Sequence, residues 1–474
     1  MTIRLDDRSL FGNEAAEDEL DDVFESYAVV RPEVERFLSI DERIVIARAY
    51  KGEGKSALLR VVSQKLDERN DDLVISVSAP SLSPEVLSED SDEWVRGWKL
   101  RILRHAASEI GARIHLAFSD DAITLVEEAE SNGYKARSFV GSVTDRLKSS
   151  SVPIERTRIG ATNPEQLLRR WSEDKPNVWF LIDDIDQNFT SSARNKVKVA
   201  TFFIALRQIS NLIPEFRFRT CVRPNVWTIV KREFEGLSHS EQYVVPIAWT
   251  EEHFTKLIAR RVSGYLVRNG ANGDSALLAD RELVAQVFDD PMPWGHSKRA
   301  PATILYTLAR YRPRWLVELW REAASAATQR SRTKINFDDI QGQLSIFGRK
   351  RIDDTIAEFV SQCPQIESLI TAFVDQPEWF STDQLYLLIN KRILQSVQPK
   401  IVGVLGAANA TDVATFLYQI GFLTARQELG NGSYTHVLYA DKPDLFATPT
   451  NRDQGYSWEI HPVFRQALRL TNVK

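Results

Sequence analysis

The feature that most constrains this chain is an octapeptide, Ala49-Tyr50-Lys51-Gly52-Glu53-Gly54-Lys55-Ser56. It sits between a β-branched run, ERIVIARAY at 42–50, and a helix-like stretch, SALLRVVSQKLDE. Strand, glycine-bearing loop and helix in this order form a phosphate-binding loop. Gly52 and Gly54 let the backbone turn tightly enough for successive amides to face phosphate oxygens, and the helix that follows aims its positive dipole end at the same place. Lys55 is then placed to reach the β- and γ-phosphates, and the Ser56 hydroxyl to ligate magnesium. Ala57 continues the helix behind them, and Ala49 stands where the pattern usually has its first glycine. The motif predicts ATP or GTP bound with Mg2+.

A site of this kind needs acids on a neighbouring strand, and Phe180-Leu181-Ile182-Asp183-Asp184-Ile185-Asp186 supplies them. An unbroken apolar run capped by carboxylates reads as a strand buried on both faces of a parallel sheet, delivering its acids to the carboxyl edge where ligands bind. Asp183 is the candidate magnesium partner and Asp184 the candidate base that orients the attacking water. Asp186 reads either as a third site carboxylate or as a helix cap. Arg223, ending the strand-like FRFRTCVRP at 216–224, reads as a γ-phosphate sensor or a strand-end ion pair. Arg314, in RPRWL, reads as a second nucleotide-facing arginine or as a partner for Glu318 one turn on.

Further strands are predicted at 42–50, 72–80 and 177–189, with a helical insertion over roughly 85–150. Trp94 and Trp98, four apart on an apolar helix, read as core rather than as a stacking surface. From Trp249 the texture becomes helical. FGRKRIDD at 347–354 reads as a charged junction, and beyond it helices and then an aromatic, turn-rich stretch suggest a winged helix. The expected division is a P-loop domain at 1–248, a helical lid at 249–346 and a winged-helix-like domain at 347–474. The fold class is therefore an α/β P-loop NTPase domain with a parallel sheet, a helical lid and a C-terminal winged helix.

A formal charge of -5 argues against a protein that coats nucleic acid by bulk electrostatics. The only cysteines, Cys221 and Cys363, have apolar or neutral neighbours, which fits buried residues in a reducing compartment and excludes a disulfide framework. The amino-terminal MTIRLDDRSL has no apolar core and no run of about 18 apolar residues occurs, so no secretory signal and no membrane span are expected, and the cytoplasm is the expected location. The histidines, His461 included, show no metal-ligand spacing, and no HExxH, GxSxG or Cys-His arrangement occurs.

The ordered segments FGNEAAEDE, AYKGEGKS, FLIDDID, CVRPNVW, VPIAWTEEHFTKLIARRV and YRPRWLVELW resemble the bacterial STAND and AAA+ type P-loop ATPases, close to their origin-recognition-like branch. The resemblance covers most of the chain and extends to antiphage-defence ATPases, whose FGN-type opening and IHPVF-like end look similar. It implies that Phe11, Gly12 and Asn13 lie near the adenine, that Arg223 is sensor 1 and that Arg314 is sensor 2. It also implies self-assembly, with an arginine finger sought among Arg194 and Arg232. Two departures stand out: the long stretch between Lys55 and Asp183, and Asp184 where AAA+ hydrolases usually have Glu. STAND members often carry the Asp-Asp pair and hydrolyse slowly, as switches.

These features predict an ATP-driven molecular switch that forms a homo-oligomer. The sequence carries no nuclease, protease or deaminase motif, so the output is expected from a separately encoded effector, docked on the 85–150 insertion or on the hairpin near Tyr434 to Trp458. The alternative is a DNA-binding initiator-like ATPase. Lys391, Arg392, Lys400 and Arg426 flank the expected reading helix, Thr411 to Leu423, but the helix itself carries Asp412 and no Lys or Arg. That favours a protein-binding winged helix over a nucleic-acid reader.

Overall fold

The computed structural model describes residues 3–471 except 14–15, 70–71, 114–123, 127–128, 130–163, 174–176, 272–277, 296, 431–432 and 447–454. Half of the expected insertion at 85–150 therefore lies outside the described residues. Its opening, Ser91–Arg113, is a helix. Chain contacts gather the described residues into two units. One comprises Val30–Tyr50 with Lys55–Ile247, and the other Met1–Val29, Lys51–Gly54 and Ala248–Lys474. The amino-terminal residues, expected within a P-loop domain at 1–248, thus group with the carboxyl-terminal half. So does the tip of the glycine loop.

In the first unit, β1 (Ile44–Arg48), β2 (Leu73–Ser78), β3 (Val178–Asp183), β4 (Phe216–Val222) and β5 (Val244–Pro246) form one sheet in the order β2-β3-β4-β1-β5. All pairings are parallel. The expected strands at 42–50, 72–80, 177–189 and 216–224 are all present. A parallel sheet is covered on both faces, which is why β3 is apolar and buried at every position from Val178 to Ile182. Trp94 and Trp98 are buried in the covering layer: the Trp98 ring meets Phe202 edge-on at 5.1 Å and its indole N–H donates to the Lys198 carbonyl at 3.1 Å. They are core, as their spacing suggested. Within β4, Arg219 is fully buried, and its guanidinium donates to the carbonyls of Phe37 and Ser39 at 2.5 and 2.7 Å and lies over the Trp179 ring. Burial pulls its pKa down to about 9.

In the second unit, the helix Glu251–Arg268 is followed by a small ribbon, β6 (Met292–Trp294) with β7 (Ser297–Arg299), and then by the helices Pro301–Leu308 and Pro313–Gln329. The stretch 347–354, expected as a junction, lies inside the continuous helix Leu344–Phe359. Its charges do not break the helix because they are paired along or beside it: Arg351 meets Glu318 at 2.9 Å and Asp354 at 3.2 Å, and stacks over Trp315 and Phe347.

The carboxyl-terminal part is of winged-helix type. Helices Thr382–Ile389 and Ala410–Gln419 accompany an antiparallel sheet, β10-β9-β11-β8, made from β8 (Trp379–Phe380), β9 (Leu423–Gly430), β10 (Ser433–Val437) and β11 (Tyr456–Ile460). The expected reading helix, Thr411 to Leu423, is shorter than its apolar pattern. Gly421, at φ 68°, ends it, and Phe422 donates its N–H back to the Leu417 carbonyl at 2.9 Å. Among the described residues no helix is long and apolar enough to cross a membrane.

Candidate functional site

The glycine loop leaves the carboxyl end of β1. Ala49 is buried and donates its N–H to the Val222 carbonyl at 3.2 Å, so the loop starts anchored to β4. Gly52 and Gly54 have φ of 85° and 84°, in the left-handed region that a Cβ disfavours. A Cβ on Gly52 would also lie 3.3 Å from the Arg314 Cβ. Lys55 opens the helix Lys55–Asp67, and its ammonium donates to the carbonyls of Ala49 and Tyr50 at 3.1 and 3.3 Å, inside its own loop. Ser56 and Ala57 follow in the first turn, half-buried.

Register brings the acids to the same edge. β4 lies between β1 and β3; Ala47 pairs with Cys221, and Ile182 with Thr220. Asp183 therefore ends β3 at the level where β1 passes into the loop. Asp183 accepts the Asp184 N–H at 2.8 Å, and Asp184 is exposed at φ 64°, a conformation Asp tolerates better than most residues. Cys221 is wholly buried, burial pushes its thiol pKa well up, and it stays an inert small side chain beneath the Lys55 carbonyl.

Asp186 resolves between its two readings in an unexpected way. It is buried, accepts the Arg223 main-chain N–H at 2.5 Å and meets the Arg223 guanidinium at 3.3 Å. Arg223 is the N-cap of the helix Pro224–Glu233, so Asp186 serves that helix across strands while orienting the arginine. Replacing Asp186 by alanine is expected to lower unfolding stability by about 2 kcal/mol, because a buried N–H and a half-buried guanidinium lose one shared acceptor. An unchanged urea midpoint would contradict the pairing.

In the second unit, three contacts hold the loop tip. The Gly52 carbonyl accepts the Arg314 N–H at 3.3 Å, the Glu53 carbonyl accepts the Trp249 indole N–H at 2.8 Å, and the Lys51 N–H donates to Glu358 at 3.2 Å. Arg314 thus stands at the loop, while Glu318, its alternative partner, pairs with Lys350 and Arg351. The sequence motifs point to neither Trp249 nor Glu358. No local motif marks either, since each meets the loop only through the tertiary fold.

The opening segment is placed by its own contacts. Phe11 is buried edge-on to Trp320 at 5.1 Å; Asn13 donates its N–H to Glu19 at 2.6 Å and its side-chain amide to the Asp18 carbonyl at 2.9 Å. Gly12, at φ 63°, allows Glu19 and the buried Arg261 to close on its Cα, and Arg261 stacks 3.8 Å over the Tyr27 ring. Of the two finger candidates, Arg194 donates to the Val86 carbonyl at 2.7 Å and Arg232 is exposed at the end of the Pro224–Glu233 helix.

A strand-loop-helix with two left-handed glycines, and an acid ending the strand two places away at the same sheet edge, decide the fold type. This is a P-loop α/β fold. No family model matches the chain, and no curated protein matches it. Among solved structures it is similar to the Aeropyrum pernix ORC2 protein in ADPNP–ADP complexes, at 12% identity and a TM-score of 0.46, covering 97% of this chain and 96% of that one. It is similar to the Aeropyrum pernix ORC1 protein in complex with DNA, at 13% identity and a TM-score of 0.36, covering 94% and 93%. It is also similar to the Thermotoga maritima RuvB Holliday junction branch migration motor, at 12% identity and a TM-score of 0.34, covering 91% and 97%.

Proposed function

We propose that this P-loop chain binds ATP with Mg2+ and hydrolyses it slowly, as a molecular switch. The observation that carries the reading is the loop itself: two glycines at positive φ turn Lys51–Gly54 into the helix that begins at Lys55, at the edge where Asp183 ends β3. That arrangement suits a triphosphate, because one short stretch of chain carries the loop amides, a helix N-terminus and a lysine. Ser56 and Asp183 supply a hydroxyl and a carboxylate for magnesium, directly or through water, and magnesium of this kind takes only one or two protein ligands beside phosphate and water. Bound there, the metal would neutralise charge on the β- and γ-phosphates. Lys55 holds those phosphates, Asp184 orients the attacking water, and Arg223, kept in place by Asp186, senses the γ-phosphate. Arg314 acts from the loop tip, and the adenine-side role of Phe11, Gly12 and Asn13 follows from the resemblance.

Asp184→Asn keeps the shape but cannot take up a proton in the same way. It is expected to leave ATP affinity within about threefold while turnover falls by at least about tenfold, read by phosphate release. Full turnover in this variant would remove Asp184 from the reaction.

The winged helix is assigned to protein rather than DNA. Asp412 and Asn409 form a reciprocal cap on the helix Ala410–Gln419, which puts a carboxylate at its first turn where a duplex phosphate would approach. Arg426 is held by Glu428 and Glu459 and lies 3.7 Å over the Tyr434 ring, and Arg392 donates to the carbonyls of Ala372 and Val374. The switch is taken to assemble with itself and to drive a separately encoded effector, in antiphage defence by resemblance. Copurification with the products of neighbouring genes, with and without ATP, tests this; full biological activity of the isolated chain would overturn it.

A further inference from the structure

The Lys51 N–H belongs to the loop that the nucleotide reading assigns to phosphate, yet it is committed to a side chain far along the chain. Glu358 lies near the end of the helix Leu344–Phe359 and is buried. One carboxylate oxygen accepts the Lys51 N–H at 3.2 Å; the other meets the Arg312 guanidinium at 2.8 Å, with both side chains almost wholly buried. Arg312 is in turn stacked 4.5 Å from the Trp315 ring centre, immediately before the helix that carries Arg314. A carboxylate that accepts a loop amide and is ion-paired with an arginine has the charge and the partners that a phosphate oxygen would have there.

We propose that Glu358 is a built-in competitor for phosphate: its carboxylate holds the Lys51 amide and the Arg312 guanidinium, and bound nucleotide displaces it from both. The inference rests on the nucleotide reading of the loop and adds its regulation. Two anions close together on one loop repel, and a buried medium screens them little, so carboxylate and triphosphate exclude one another. Displacement frees Arg312 to face the incoming negative charge. It also loads the Leu344–Phe359 helix, which is tightly seated further back: a Cβ on Gly348 would lie 2.5 Å from the Val463 carbonyl and 3.1 Å from the Ala467 side chain. With so little slack at Gly348, release at Glu358 is passed along a rigid rod to the segment that follows β11, giving the winged helix a contact that differs with nucleotide state.

The test uses the full chain, a fluorescent N-methylanthraniloyl ADP with Mg2+, and three variants. Glu358→Gln removes the charge and is expected to tighten binding about tenfold, the size of one charge-assisted hydrogen bond. Glu358→Asp keeps a charge beside Arg312 but shortens the reach to Lys51 by one methylene; it should tighten binding by less, and it covers the case in which loss of the buried charge prevents folding. Unchanged or weaker binding in either folded variant overturns the competitor. Lys55→Ala separates the two ideas. If it binds like the parent, the nucleotide reading falls; if it fails to bind while both Glu358 variants match the parent, only the competitor falls.

Discussion

Replacing Lys55 by alanine is expected to weaken ATP binding at least about a hundredfold, since charge-assisted hydrogen bonds are worth roughly 1.5–3 kcal/mol each and about 2.7 kcal/mol is a factor of 100. The ammonium already sits within its loop, donating to the Ala49 and Tyr50 carbonyls, so reaching phosphate needs a side-chain rotation and no refolding of the loop. Those two bonds are to half-buried or anchored backbone, and their loss should cost about 1 kcal/mol of stability. Calorimetric titration therefore separates the roles: a large loss of affinity with a small change in unfolding midpoint is expected. An unchanged dissociation constant would show that the loop does not hold phosphate.

The second large effect is expected in the winged-helix part, where Glu459 on β11 gathers three basic side chains. Arg426 lies at 2.7 Å, Arg465 at 2.9 Å and the His436 ring at 3.0 Å. Burial alone would raise the pKa of this carboxylate, but hydrogen bonds from His436 and Arg426 and the charge of Arg465 outweigh it and hold the pKa at about 2 against an ordinary 4.5. A folded pKa below the unfolded one means that stabilisation is complete above about pH 4.5 and is lost as the pH falls toward 2. Glu459→Gln is therefore expected to lower stability by about 3 kcal/mol at pH 7. The gap between variant and parent should narrow steadily below pH 4.5. Hydrogen exchange of β9 and β11 as a function of pH reads this locally; a gap independent of pH would show that the carboxylate acts by shape and not by charge.

The local parts of this protein are legible in its sequence because neighbours along the chain decide them. β1 needs only its β-branched run, and the turn needs glycine at 52 and 54 because those positions take positive φ. The helix begins at Lys55, where the apolar period starts, and the strand of Asp183 announces itself by a continuous apolar run. Core placement of Trp94 and Trp98 likewise follows from spacing on one helix. Where the pattern misleads, a single local feature is responsible. Gly421 stops a helix whose apolar period runs on to Leu423, and paired charges carry a helix through 347–354, where charge density suggested a junction.

What the tertiary structure alone decides is which distant residues share a partner. Placing β4 between β1 and β3 sets Asp183 level with the loop and gives Asp186 the backbone and guanidinium of Arg223. Nothing near position 186 in the sequence signals that pairing. The grouping of Lys51–Gly54 with the carboxyl-terminal half brings Arg314, Trp249 and Glu358 to the loop tip, although up to some three hundred residues intervene. Helices and turns are encoded by short-range sterics and hydrogen bonding, and so can be read one window at a time. Ion pairs and shared acceptors depend on strand order and helix packing, and these come from burying the whole apolar surface at once.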